Sequence, residues 1–170
     1  MMKGIALLFS LALISGPLRA QILEQSFTDT EAGFKISTPG GQWAFVPRGI
    51  DPGPVRLTIR YETPVHQFVP NVTVRVQELD EPKTKLETFL KQDLAALPET
   101  MEVVEKKKLP LGGREGYHIL LHDKAARVVF HQRILVAKGR SYVLTCSAHA
   151  DSYTRMRKDC QKILESFELL

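Results

Sequence analysis

The residues that decide the fold are 141–148, SYVLTCSA, and 149–167, HADSYTRMRKDCQKILESF. In the first stretch one face carries the residues expected of a half-buried strand: Tyr142, Leu144, Cys146 and Ala148. In the second stretch the apolar residues recur at helical spacing instead: Tyr153, Met156, Cys160, Ile163, Leu164 and Phe167. This change of period predicts a strand followed at once by a closing amphipathic helix, with Asp151 as its N-cap.

The residues before this unit predict a first helix and three more strands. The strands cover residues 101–109, 114–122 and 127–137, and a tight turn at 138–140 leads into the strand at 141–148. The helix carries an apolar stripe made of Leu86, Phe89, Leu90, Leu94 and Leu97. Thr84 and Glu87 have the spacing of a capping box at its start, and Pro98 ends it.

Four strands are predicted before the first helix. Residues 55–63 and 71–79 alternate between apolar and polar side chains, whereas 33–38 and 43–47 are shorter apolar runs separated by a Pro-Gly-Gly turn. Because most connections are of hairpin length, the sheet should be mostly antiparallel. We therefore predict an α+β domain with a sheet of about seven to eight strands flanked by two helices.

The N-terminal residues have the pattern of a secretory signal peptide. Lys3 supplies a positive start, residues 5–14 are apolar apart from Ser10, and Ala20 is a small residue at the cleavage position. The apolar run is shorter than the ~20 residues that a membrane span needs; the alternative is a buried N-terminal helix. We expect a signal peptide at 1–20 and a single domain at 21–170, periplasmic or secreted and without a membrane span.

Composition excludes several classes of protein. Of 170 residues, 44% are hydrophobic and 25% are charged, which is the balance of a chain with a packed core rather than a disordered one. The formal net charge of +4 falls to +2 without residues 1–20, because that segment holds Lys3 and Arg19 and no acidic residue. A nearly neutral chain without a basic stripe is not expected to bind nucleic acid.

The two cysteines are predicted to face each other. Cys146 lies on the inner face of its strand and Cys160 on the apolar stripe of the helix that folds back over it. An even count in an exported protein favours a disulfide. Typical layer spacing places the closest Cα atoms about 7–8 Å apart, whereas a disulfide prefers about 4.4–6.8 Å. Two buried free thiols therefore remain the alternative.

The chain resembles the PsbP-like fold family. The resemblance rests on Gly33-Phe34-Lys35-Ile36-Ser37-Thr38-Pro39 with Trp43, on Leu86-Glu87-Thr88-Phe89, and on Tyr142-Val143-Leu144-Thr145-Cys146 with Ile163-Leu164-Glu165-Ser166-Phe167. That family includes the extrinsic PsbP subunit of photosystem II, DcrB-type bacterial envelope proteins and mycobacterial lipoproteins. The resemblance implies the fold, and it implies a binding or accessory role rather than catalysis. These are core and turn residues, so no site residue follows from them.

The best candidate for metal binding is a pair of histidines. If the turn centres on Lys124-Ala125, His118 lies directly opposite His131, at a Cβ separation of about 4.5–5.5 Å. Two imidazoles at that distance could share a metal ion, but two ligands are too few for a tight zinc site. The alternative is a histidine pair on a partly wet face beside Arg133.

Other candidate residues point to binding rather than catalysis. No Gly-x-Ser-x-Gly elbow is present, and acidic pairs such as Asp29 with Glu31 are interpreted as the starts of turns. Apolar residues in or beside the Pro-rich loops at 47–54 and 64–70 could form a patch for a partner or lipid: Phe45, Ile50, Val65, Phe68 and Val69. Alternatively they cap the end of the sheet. Trp43 is predicted to be buried, an exposed ligand-site tryptophan being the alternative.

These observations favour an exported, non-catalytic binding or accessory protein of the bacterial envelope. It would bind a protein partner or an amphipathic small ligand through the loops at 47–54 and 64–70, without a cofactor. One alternative is a metal-binding protein or metal-dependent enzyme that uses His118 and His131. Another is a structural subunit of a larger envelope complex.

Overall fold

The computed structural model describes residues 25–46 and 53–170. The predicted signal peptide at 1–20 and the loop residue Ile50 lie outside the described residues. The strands are β1 Gln25–Asp29, β2 Phe34–Thr38, β3 Trp43–Val46, β4 Val55–Tyr61, β5 Asn71–Glu78, β6 Met101–Lys108, β7 Tyr117–Asp123, β8 Val128–Ala137, β9 Arg140–His149 and β10 Glu168–Leu169. The helices are α1 Leu86–Ala95 and α2 Ala150–Glu165. None of the helices in these ranges is long and apolar enough to cross a membrane.

The strands form one large and one small antiparallel sheet. The large sheet has seven strands in the order β3-β4-β5-β9-β8-β7-β6, and the small sheet has three in the order β1-β2-β10. The predicted α+β architecture with an antiparallel sheet of about seven strands and two helices is confirmed. The small sheet was not predicted, because β1 is mostly exposed and β10 has only two residues. Neither segment carries the periodic pattern that a sequence reading depends on.

The large sheet is covered on both faces. On one face α2 and the small sheet enclose the main core, which includes Phe34, Trp43, Leu144 and Ile163. On the other face α1 covers a smaller core around Leu90, Ile119 and Ile134. Successive residues of a strand point to opposite faces, so β8 and β9 contribute to both cores, whereas the core residues of β7 all belong to the smaller one.

Helix α2 is joined to β9 by the predicted disulfide between Cys146 and Cys160. The Cα atoms of these residues lie 5.7 Å apart, and both residues are fully buried. This is closer than typical helix–sheet spacing allows. Ala148 lies on the same face of β9 and is also fully buried, so a small side chain next to the bridge permits the close approach. The alternative of two free thiols is wrong.

Both predicted helix caps are wrong. His149, not Asp151, is the N-cap of α2, and its Nδ1 accepts a hydrogen bond from the backbone N–H of Asp151. Helix α1 has Lys85 as its N-cap and no side-chain cap bond. The Thr84 hydroxyl donates to the backbone oxygen of Glu81 at 2.7 Å, so it serves the preceding turn instead of the helix.

Trp43 is buried, as predicted. Its exposed fraction is 2%, and its ring lies edge-on to Tyr61 with a centroid separation of 5.2 Å. The indole N–H donates to Asp159 Oδ2 of α2 at 3.2 Å. Trp43 therefore ties β3, which is an edge strand, to the helix that covers the main core.

Candidate functional site

The small sheet and the edge of the large sheet enclose a cleft. Its volume is about 480 Å³. Its apolar walls are Phe27 from β1, Phe45 and Val46 from β3, and Leu57 from β4. The rings of Phe27 and Phe45 have centroids 5.9 Å apart. The cleft is thus lined by the end of β3 and the start of β4.

One end of the cleft is charged. Arg56 bonds to Asp29 through Nε at 3.1 Å and to Glu31 through a terminal nitrogen at 2.6 Å. Asp29 also accepts the backbone N–H of Ala32 at 2.8 Å, so this acidic pair does start a turn, as predicted. Burial alone would raise the pKa of Asp29, but the hydrogen bonds from Arg56 and Ala32 hold it below its usual value. The cleft thus joins apolar walls to a fixed ionic end.

The described residues that line the ionic end carry a net negative charge. Two carboxylates surround a single guanidinium, and their hydrogen bonds raise the pKa of Arg56 above its ordinary value. The Asp29 side chain is 10% exposed, whereas that of Glu31 is 79% exposed. Glu31 is therefore the carboxylate that is accessible from solvent.

The structure places the described residues of the predicted patch differently. Phe45 lines the cleft, whereas Val65, Phe68 and Val69, from the loop at 64–70, do not. Val65 and Phe68 pair through their backbones, and with Val69 they are half-buried. Most of the other predicted loop, residues 47–52, lies outside the described residues.

The predicted register of the histidine pair is wrong by two residues. His118 lies opposite Arg133, and His131 lies opposite Leu120. The reason is the turn: Asp123 Oδ1 accepts the backbone N–H groups of Ala125 and Ala126, both at 3.0 Å, which moves the turn along the chain. A shift of two residues leaves each side chain on the same face. The two imidazoles consequently still meet as diagonal neighbours.

The two histidines form a buried hydrogen-bonded chain. His131 Nε2 and His118 Nδ1 are 3.0 Å apart, and both residues are less than 10% exposed. The outer nitrogens also have partners, since His118 Nε2 lies 3.3 Å from Glu105 and His131 Nδ1 lies 3.4 Å from the Tyr153 hydroxyl. A metal ion would have to displace these hydrogen bonds. Burial lowers the pKa of both imidazoles, that of His131 to about 4.

This histidine chain predicts that the protein loses stability in mild acid. An unfolded histidine takes up a proton near its ordinary pKa of 6.5, whereas folded His131 does so only near about 4. Between those values the unfolded chain binds more protons, so stability falls as the pH falls. We expect the free energy of unfolding to drop by about 2 kcal/mol from pH 7 to pH 5. Urea denaturation at both pH values measures it.

The variant His131→Gln supplies the comparison. Glutamine keeps a polar side chain but does not titrate, so the pH dependence of this variant should be clearly smaller. An equal dependence in wild type and His131→Gln would contradict the assignment.

Sequence reasoning missed a second group of possible metal ligands. Ligand atoms of His66, His149 and Asp151 lie within 4.8 Å of one another, although His66 is far from the other two in sequence. Both oxygens of Asp151 are bonded to a terminal nitrogen of Arg127, at 2.8 and 2.9 Å. The carboxylate therefore already serves an ion pair between the turn before β8 and α2, and no metal is assigned to it.

Sequence comparisons give no relatives. No family model matches the chain, and no curated protein does.

Solved structures, in contrast, do match. The chain is similar to cyanobacterial PsbP (CyanoP) from Synechocystis sp. PCC 6803, with a TM-score of 0.63 and 15% identity over 93% of this chain and 99% of that one. It is similar to LpqN, described as involved in cell envelope biogenesis of Mycobacterium tuberculosis, with a TM-score of 0.58 and 16% identity over 88% and 91%. A Pseudomonas aeruginosa protein of unknown function matches with a TM-score of 0.57 and 6% identity over 74% and 96%. The chain has a PsbP-like fold.

Proposed function

We propose that this chain is an exported, non-catalytic accessory protein that binds an amphipathic ligand in the cleft between its two sheets. The observation that carries the proposal is the cleft itself, in which walls of Phe27, Phe45 and Leu57 end at the Arg56 ion pair. Its volume of about 480 Å³ lies in the range of small-molecule sites. Binding sites of this kind combine apolar walls with a few polar groups that orient the ligand.

The charged side chains of the cleft determine which charge the polar head of the ligand can carry. Arg56 already has two carboxylate partners, so an anionic head would find no free cation among the described residues that line the cleft. Glu31 is exposed and can accept hydrogen bonds. The ligand is therefore an apolar chain or ring system with a neutral or cationic head, and the apolar part packs against Phe27 and Phe45.

Export is supported by the cysteines and by the N-terminal sequence. Disulfides persist mainly in oxidising compartments, and the two cysteines of this chain pair with each other. Residues 1–20 carry the signal-peptide pattern with cleavage near Ala20. The proposed mature domain, residues 21–170, then functions in the periplasm or outside the cell. The fold shared with LpqN and CyanoP is consistent with an accessory role.

Fluorescence titration with the neutral apolar dye N-phenyl-1-naphthylamine tests the cleft. We expect saturable fluorescence enhancement with the wild-type protein. Val46, 36% exposed on β3, lines the cleft, and Val46→Glu places a carboxylate against the apolar walls. Because an unpaired charge is costly in an apolar site, this variant should bind the dye roughly tenfold more weakly or worse.

A matched valine controls for the added charge. Val104 is also exposed, at 56%, but it lies on β6 at the opposite edge of the large sheet. Val104→Glu should bind the dye as the wild type does. The proposal would be overturned if Val46→Glu and Val104→Glu bound the dye equally well. It would also be overturned if the wild type and Val104→Glu both failed to bind the dye saturably. If adding a partner protein abolishes dye binding, that partner competes with the dye for the cleft.

A further inference from the structure

A second groove lies on the opposite face of the large sheet, beside the end of α1. Its volume is about 470 Å³. The floor consists of neutral side chains that can hydrogen-bond: Asn71, Thr73, Gln132, Thr145 and Ser147. The walls are apolar and include Leu97 after α1, Met101 at the start of β6, and Phe130 of β8. This groove shares no lining residue with the cleft described above.

The polar floor is an ordered array across three strands. Asn71 lies opposite Ser147, and Thr73 lies opposite Thr145. Thr145 in turn lies opposite Gln132 of β8. Neighbouring strands are ~4.8 Å apart, and side chains two residues apart on one strand are ~6.7 Å apart. The hydrogen-bonding groups therefore form rows with the spacing of a β-sheet.

Gln132 has an unused hydrogen-bonding atom in this array. Its Nε2 donates to the Thr145 hydroxyl at 3.2 Å, while its buried Oε1 has no partner among the residues that the structure describes. Exchanging the amide oxygen and nitrogen would still leave one of them unpaired. The terminal torsion of glutamine turns readily, so a ligand N–H that enters the groove can pair with this oxygen.

The groove offers no free charge to a ligand among its described lining residues. Arg75 and Asp93 are bonded to each other at 3.0 Å, and they join β5 to α1. The remaining lining residues are neutral or apolar. A charged ligand would therefore lose hydration without gaining a partner, which favours an uncharged one.

We propose that this groove binds an extended, uncharged peptide segment of a partner protein. The N–H and C=O groups that an extended backbone presents on one side repeat every two residues, at ~6.7 Å, which is the spacing of Thr145 and Ser147 along β9. A peptide that runs along β9 would bond to these two side chains and to Thr73 and Gln132, which lie one strand away on either side of Thr145. Apolar side chains of the peptide would contact Leu97 and Phe130. This inference is independent of ligand binding in the cleft.

Nuclear magnetic resonance titration of the full mature protein tests this proposal. The probe is the blocked peptide acetyl-Val-Ala-Val-Ala-amide, and acetyl-Lys-Glu-Lys-Glu-amide is the charged comparison. We expect amide shifts with the neutral peptide that centre on Thr73, Gln132 and Thr145. Shifts that centre elsewhere, or equal binding of the charged peptide, would overturn the proposal.

Variants separate recognition from folding. Gln132→Met has nearly the same size without the amide, and it should weaken the neutral peptide roughly tenfold, the effect of losing a hydrogen bond to a desolvated group. Gln161→Met is the matched control, because Gln161 is exposed on α2 and bonds to Glu165. Thr73→Val gives a second test should Gln132→Met fold poorly. Unchanged affinity in both groove variants would contradict the proposal.

Discussion

Replacing Trp43 with alanine is expected to lower the free energy of unfolding by about 3–5 kcal/mol. The indole is 2% exposed, contacts Tyr61, and donates to Asp159 of α2. The substitution leaves a large cavity between an edge strand and the helix that covers the main core. Guanidinium denaturation followed by circular dichroism measures the loss.

Trp43→Phe distinguishes packing from the hydrogen bond. Phenylalanine keeps most of the apolar contact with Tyr61 but has no N–H for Asp159, so the loss should be clearly smaller than for alanine. If Trp43→Ala lowers the free energy of unfolding by less than about 1 kcal/mol, the burial of this residue is contradicted, because losses that small are typical of exposed positions.

Removing the disulfide is the second change with a large expected effect. The double variant Cys146→Ala/Cys160→Ala opens a loop whose ends are 14 residues apart in sequence. Loss of such a cross-link lowers stability by roughly 3 kcal/mol in the chain-entropy model. Because both cysteines are fully buried, the missing sulfur atoms add a packing loss.

Thiol titration controls for the state of the cysteines. Wild-type protein isolated from the export compartment, unfolded without reductant, should show no reactive thiol. Two reactive thiols per chain would contradict the bridge, and the double variant would then report only packing. Denaturation of the wild type with and without reductant should reproduce most of the difference.

The strands and helices with one buried face could be predicted from sequence, because their apolar residues recur with the period of a strand or of a helix. The strand and helix that carry Cys146 and Cys160, and the alternation around Val72 and Val74, follow from one-sided burial. The caps of both helices could not be predicted in this way. Thr84 and Asp151 are good capping residues by type, but local hydrogen bonds involve Glu81 and His149 instead.

The candidate sites depend on contacts between segments distant in sequence. Phe27 and Leu57 line the cleft together because the small sheet packs against the edge of the large one, and β1 carries no periodic signal. Phe45 was singled out from its position beside a Pro-rich loop, and it does line the cleft. The ion pairs of Arg56 could not be predicted from the alternation of β4, because Asp29 ends β1 of the small sheet and Glu31 lies in the turn after it.

For the histidine pair, the sequence predicts the face of the sheet but not the register of the β7–β8 hairpin. The alternation of β7 and β8 keeps His118 and His131 on one face in every register that differs from the predicted one by an even number of residues. The register itself depends on the Asp123 turn, a local hydrogen-bond preference that hydrophobic spacing does not encode. A shift of two residues preserved the contact between the rings, whereas a shift of one would have placed one ring on the opposite face.

Intermolecular nuclear Overhauser effects from bound N-phenyl-1-naphthylamine test the central claim, ligand binding between the two sheets, most directly. The dye protons should lie close to the rings of Phe27 and Phe45 and to the methyl groups of Val46 and Leu57, which face the same cleft. Contacts to these side chains, and their loss in Val46→Glu but not in Val104→Glu, are the predicted result. Contacts confined to side chains outside the cleft would contradict the account.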